Sequence, residues 1–335
     1  MYAGEDEGIF GNESYWNGNC QIGQLTKLGG EMCTRMGAAL RQVYVDTYHL
    51  LPEALTQNDL GYFRLRSTIV PRAQESILSM LEGLYPADKR PGVYIPITLY
   101  SEERDYAYPN ALKCPRITQV LINNIVQNPE WLPRMQAIKD VLDQINTIAN
   151  TTDDPSMNDQ YTVGSWDDVF RARLCNDLPL PCSEDGQTCV TQEMADTVLE
   201  VGNWETPRLF GGDELALLGG GPLFCDISKT FADRVSTGSG PKYIHYSAHD
   251  TTLYSLLAGL KFLGNYTPFA STIRFELWQT SNDPTPEYGV QIIFNNEIIR
   301  PPECGDDLCT LKQFEDMISS RLTIRDLAKE CALEQ

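Results

Sequence analysis

The sequence predicts an α/β protein, a sheet core flanked by helices with a mainly helical cap inserted into it. Three observations carry this expectation. Two strand-turn-helix units lie far apart, near residues 61–86 and 242–263. The stretch between them has helical spacing and loop punctuation but few strand signals, and two alternating segments near the end read as a hairpin.

Each element has its own warrant. Residues 25–48 carry Leu25, Leu28, Met32, Met36, Leu40 and Val43 at steps of three and four, one face of a long helix whose first turns Gly29 and Gly30 weaken. "GYFRLRST" alternates and is rich in aromatic and branched residues, as a strand is. In "VPRAQESILSMLEGLYP", Pro71 suits a first helical position and Pro86 lies just past the helix end. The unit returns where "KYIHYS" reads as a strand and Leu253, Leu256, Leu257 and Leu260 form a helical stripe. "ITQVLINNIVQNPEWLPRMQAIKDVLDQINTIAN" belongs to the insertion, and "GGDELALLGGG" marks the return to the core. "STIRFELWQ" and "YGVQIIFNN" form the hairpin, expected to rejoin the sheet. The division is a core of residues 1–99 and 219–335 with a cap of residues 100–218.

Composition narrows the partners. The 335 residues are 42% hydrophobic and 21% charged, a globular mix. A formal charge of −20 repels nucleic acid and anionic membrane surfaces. No apolar run reaches membrane-spanning length, and "MYAGEDEGIFGNESYW" lacks the basic and apolar regions of a signal peptide. Ten cysteines nevertheless point to an oxidising compartment, as do sequons at Asn12, Asn150 and Asn265. Zinc is disfavoured, because Cys175, Cys182 and Cys189 form no CxxC pair and no histidine lies nearby.

The chemistry concentrates at two strand ends, where open α/β sheets place their ligands. One delivers Arg66 in "LRST", the other His249 and Asp250 in "SAHDTT". An arginine fork binds phosphate through paired hydrogen bonds, an imidazole adds a donor, and a carboxyl group can protonate a leaving oxygen. That set suits phosphoryl transfer. The plainer readings are a surface or ion-paired arginine and an Asp250 that merely caps its helix. Arg72 reads as a first-turn surface residue, and His49 as a partner for a helix C-terminus. His245 shares strand parity with His249 and packs beneath the site; the two lack a third ligand for a metal.

Five segments, "GQLTKLGGEMCTRMGAALRQVY", "LRSTIVPRAQESILSMLEGLYP", "KCPR", "YSAHDTTLYSLLAGL" and "PECGDDLC", occur in the order seen in the histidine acid phosphatases. The chain resembles the lysosomal and prostatic branch of that family from about residue 22 to 331. The resemblance implies a phosphoglycerate mutase-like histidine phosphatase fold. It implies hydrolysis of phosphate monoesters at acid pH through a phosphohistidine intermediate, without cofactor or metal. It also implies a lysosomal, cell-surface or secreted location, and a homodimer. By matching motif, Arg66 would clamp the phosphate, His249 would hydrogen-bond it and Asp250 would protonate the departing alcohol. The implied disulfides are Cys304 with Cys309 and Cys114 with Cys331. Thr272 stands where the nearest relatives have a cysteine, which leaves Cys175 without its family partner and Cys182 or Cys189 to replace it. The pairing of Cys20, Cys33 and Cys225 stays open.

One family motif is missing. The nucleophilic imidazole comes from an Arg-His-Gly-x-Arg-x-Pro segment upstream of "GQLT", and this sequence contains no Arg-His pair. Loss of a covalent nucleophile costs orders of magnitude in rate. The missing leader and the missing motif belong to the same end, so Met1 is expected to be an internal methionine of a longer phosphatase. The alternatives are a catalytically inactive family member that binds or scaffolds, and a phytase-like enzyme acting on inositol phosphates.

Overall fold

The computed structural model describes residues 23–333 apart from 156, 263, 265 and 282–286, so Asn12, Cys20 and Asn265 lie outside the described residues. Helix α1, Lys27–Arg41, starts at Thr26, whose Oγ1 accepts the Gly29 N–H at 3.1 Å. It runs into a π-helical turn, Gln42–Thr47, so the helix expected over 25–48 changes pitch in its last third. Helix α2, Pro71–Leu84, has Pro71 in its first turn and packs along α1. At the crossing the backbones touch. A Cβ on Gly37 would lie 2.0 Å from the Met80 carbonyl oxygen, and one on Gly83 would lie 2.0 Å from that of Thr34.

Strand β1, Phe63–Ser67, sits between β2, Ile97–Leu99, and β3, Tyr243–Ser247, and both neighbours are parallel to it. Leu65 stands opposite Ile97 on one side and His245 on the other. The later hairpin, β4 (Ile273–Gln279) and β5 (Tyr288–Phe294), is antiparallel and builds a second sheet with β6, Glu297–Ile299, and β7, Cys309–Thr310. It does not rejoin the first sheet by backbone pairing: among the described residues β4 pairs only with β5, and β3 only with β1. Side chains make the connection instead. The Tyr44 hydroxyl, from the π-helical turn, donates to Glu276 of β4, and its ring packs 6.4 Å from that of Tyr243 in β3.

The intervening chain folds as helices α3 (Arg116–Val126), α4 (Trp131–Ala137), α5 (Lys139–Ala149), α6 (Gly164–Cys175) and α7 (Gln192–Leu209). They bury a cluster of their own that includes Trp131, Trp166, Phe170, Ile145 and Val198. Helices α8 (Gly221–Thr237), α9 (Asp250–Gly259) and α10 (Leu311–Arg321) surround the second sheet around Phe224, Leu257, Val290 and Phe314.

Three disulfides are present among the described residues: Cys114–Cys331, Cys182–Cys189 and Cys304–Cys309. Neither Cys182 nor Cys189 replaces the family partner of Cys175. They face each other across a short turn as an isolated antiparallel bridge, Cα atoms 3.8 Å apart. Cys175 is an exposed free thiol at the end of α6, while Cys33 is buried and Cys225 partly buried.

Candidate active site

Because β1 and β3 are parallel, the chain leaves both at the same sheet edge. After β1 it reaches Thr68, whose N–H donates to the Ser247 carbonyl at 3.2 Å and whose Oγ1 lies 3.1 Å from His249 Nε2. After β3 it turns into α9 with His249 as the N-cap; the His249 N–H donates to Thr252 Oγ1 at 3.3 Å. Thr252 in turn donates to the Ala107 carbonyl at 2.5 Å, and the Tyr108 ring stands edge-on to the imidazole at 5.6 Å. Burial pushes the His249 pKa down, with Arg72 acting the same way against Asp250 and Asp105. Asp250 is not the cap but the first helical residue. Its carboxyl group is exposed, and its Oδ1 accepts the Thr251 N–H at 2.8 Å.

Arg66 lies deeper. Its side chain is buried, Nη2 donates to Asp105, and the guanidinium is flanked by the rings of Tyr100 at 4.2 Å and Tyr106 at 3.8 Å. Arg66 Nε and Nη1 and Asp105 Oδ2 are buried without a partner among the described residues. Asp105 Oδ1 also accepts the Ala107 N–H at 2.8 Å. The segment 105–108 therefore ties the site together: Asp105 on Arg66, Ala107 on α9 and Tyr108 on His249. Nothing in the local pattern announces this, because "RDYAYP" has neither periodicity nor a motif and its contacts are long-range. Arg72 is half-buried rather than a plain surface residue, and its charge reaches His249.

The cap closes over the same edge. On α6, Asp167 accepts Arg171 through both oxygens, at 2.7 and 2.8 Å, and the Arg171 guanidinium lies 3.5 Å over the Tyr266 ring. The next residue, Thr267, donates its N–H to the Tyr254 hydroxyl at 2.8 Å, four residues after Asp250 on α9. Asp168 is exposed, and no side-chain partner contacts it among the described residues. Enclosure by protein, then the charges of Asp250 and Asp167, raise its pKa to about 6. Its solvent contact is thus through a cleft and not an open face. Deeper in the cap, Glu205 accepts the Val163 N–H with both oxygens, at 3.2 and 3.3 Å, and burial raises its pKa to about 8.

The other histidines stand apart from this cleft. His245 Nδ1 is 3.1 Å from the Tyr243 hydroxyl, and burial lowers its pKa to about 4. His49 Nδ1 is 2.9 Å from the Val45 carbonyl at the end of the first helical run. Among the described residues no group of three or more His, Cys, Asp or Glu could hold a metal ion. Asn150 is exposed at the end of α5, in the left-handed region at φ 55°.

The family model of the histidine phosphatase superfamily, branch 2, matches residues 6–172 and 204–295. The chain belongs to that superfamily. It is 31% identical to Counting factor 60 of Dictyostelium discoideum over 327 residues, 96% of this chain and 74% of that protein. It is 30% identical to the lysosomal acid phosphatase of Bos taurus over 93% of this chain and 73% of that protein. With the prostatic acid phosphatase of Bos taurus the identity is 25%, over 93% and 80%. Among solved structures, a phytase from Citrobacter braakii superposes with a TM-score of 0.65 at 16% identity, over 94% of this chain and 91% of that one. At that identity the likeness is one of fold: this is the histidine phosphatase fold. The resemblance carried by five sequence segments is a family membership.

Proposed function

We propose that this chain is an acid phosphatase, a hydrolase of phosphate monoesters, with its reaction centre at the sheet edge beneath α6. The observation that carries the reading is the His249–Asp250 pair at the start of α9, in the family to which the chain belongs. A phosphate placed against the α9 N-terminus would meet the positive end of the helix. His249, anchored at Nε2 by Thr68 and with its pKa pushed down by burial, would hydrogen-bond it. Asp250, exposed on the first turn, would protonate the departing alcohol. Arg66, buried and paired with Asp105, would add its guanidinium through Nε and Nη1, which have no partner among the described residues. The phosphohistidine step needs a further imidazole. The sequence has only three, with His245 and His49 set apart and His249 in a different role.

A second reading is an anion-binding protein without turnover. It is favoured by the pairing of Arg66 with Asp105. The phosphatase reading includes a lysosomal or secreted location, a homodimer, carbohydrate on the sequons and a cap spanning residues 100–218. The test is release of p-nitrophenol from p-nitrophenyl phosphate at about pH 5, by the chain as it stands and with an Arg-His-Gly-x-Arg-x-Pro segment joined ahead of it. We expect release that falls about a hundredfold or more in Asp250→Asn. No release from either form would remove catalysis and leave anion binding.

A further inference from the structure

We infer that the groove between α3 and α7 is a carbohydrate-binding site that takes neutral sugar units. The inference does not depend on the phosphatase reading, because none of the groove's lining residues belongs to the His249–Asp250 site.

Shape comes first. The groove holds about 900 Å³, within the range of about 300–1,000 Å³ typical of small-molecule sites. One wall is the last turn of α3 and the residues after it, where Asn123 and Gln127, and likewise Asn124 and Asn128, stand four residues apart. The other wall is α7, which contributes Glu200, Asn203, Trp204 and Arg208 at helical spacing. Asn124 Nδ2 donates to the Leu209 carbonyl at 2.8 Å and ties the two walls together.

Chemistry comes second. Five of these lining side chains are primary amides, each with two donors, an acceptor and no charge. Asn123 and Gln127 use none of these groups on the protein among the described residues. Asn128 uses only its oxygen, which accepts the Glu130 N–H at 3.0 Å. Asn203 does the same, its oxygen accepting Arg171 Nη2 at 2.8 Å, so both NH2 groups are left for a guest. Glu200 and Arg208 bring one charge of each sign, and Arg208 Nη1 already donates to the Trp204 carbonyl at 2.8 Å. Arg134, 4.6 Å from the Trp204 ring, is paired with Glu130. An anion would therefore find no surplus of cations, and an apolar guest would strip water from amides that it could not satisfy. A sugar hydroxyl, like the amide, is donor and acceptor at once, and two neighbouring hydroxyls can engage both ends of one amide. Extended peptides are commonly held by a sheet edge, whereas both walls here are helical.

The test is calorimetric titration of the full chain at neutral pH with chitobiose, maltose, lactose and mannobiose, and with tetraglycine as the peptide counterpart. We expect at least one disaccharide to bind with a Kd of about 1 mM or tighter, and inorganic phosphate not to displace it. The double variant Asn123→Ala/Gln127→Ala should weaken that binding about tenfold or more. Asn123 is half-buried and Gln127 exposed, and neither side chain holds a partner among the described residues, so the variant keeps the fold. Absence of disaccharide binding by the parent chain, or binding unchanged in the double variant, would overturn the inference. Displacement by phosphate, or tighter binding of tetraglycine than of any disaccharide, would overturn it as well. The phosphatase reading stands or falls separately, on p-nitrophenyl phosphate.

Discussion

Glu205→Gln should flatten the dependence of stability on pH. Glu205, on α7, is 4% exposed and receives the Val163 N–H at the start of α6. Burial raises its pKa from the ordinary 4.5 to about 8, more than that hydrogen bond lowers it, and the Asp167 charge adds to the rise. A folded-state pKa above the unfolded one means that the native state holds the extra proton. Its stabilisation is therefore complete below about pH 4.5 and lost as pH climbs towards 8. At about 1.4 kcal/mol per pH unit, the whole loss is about 5 kcal/mol. His245 runs the opposite way: its pKa is lowered from 6.5 to about 4, so stability is gained as pH rises through that interval. Between pH 6.5 and 8 the slope belongs mainly to Glu205, and about 2 kcal/mol should disappear there. The assay is urea unfolding at several pH values from about 5 to about 8, on the parent chain and on Glu205→Gln, which keeps the shape and the acceptor. Equal slopes in the two proteins above pH 6.5 would refute the argument.

Two further outcomes follow from packing and covalent linkage. Gly37→Ala places a methyl group 2.0 Å from the Met80 carbonyl oxygen, so α1 and α2 must separate; we expect a loss of about 2–3 kcal/mol, read as a lower thermal midpoint. Replacing both cysteines of Cys114–Cys331, which are 217 residues apart in sequence, should cost about 4–5 kcal/mol. The same change at Cys304–Cys309, 5 residues apart, should cost about 2 kcal/mol, and denaturant midpoints that reverse this order would count against a chain-entropy origin.

What could be read from the chain beforehand divides along physical lines. The spacing of Leu253, Leu256, Leu257 and Leu260 located α9, and Pro71 located the start of α2, because both signals are local. The two strand ends that bear Arg66 and His249 were legible for the same reason, and they do share one sheet edge. The partner of Arg66 was not. Asp105 lies 39 residues further along the chain, in an irregular segment whose only constraint is the site that it closes. Asp168 and Arg171 were equally silent, since an acidic and basic helix surface reads as solvated until its neighbour across a cleft is known. The pitch change at Gln42–Thr47 also escaped periodicity, because apolar steps of three and four continue through it.

The Arg66–Asp105 pair alters the meaning of any affinity measured at this site. In the proposed reading, a phosphate reaching the guanidinium would meet a cation already neutralised by Asp105, with only Nε and Nη1 left to receive it. The observed constant would then report hydrogen bonding to two nitrogens set against repulsion from a resident carboxylate, and not the pull of a bare cation. An oxyanion with the wrong shape would gain little from two donors in fixed positions, which would make an occupied arginine a sieve as well as a hook.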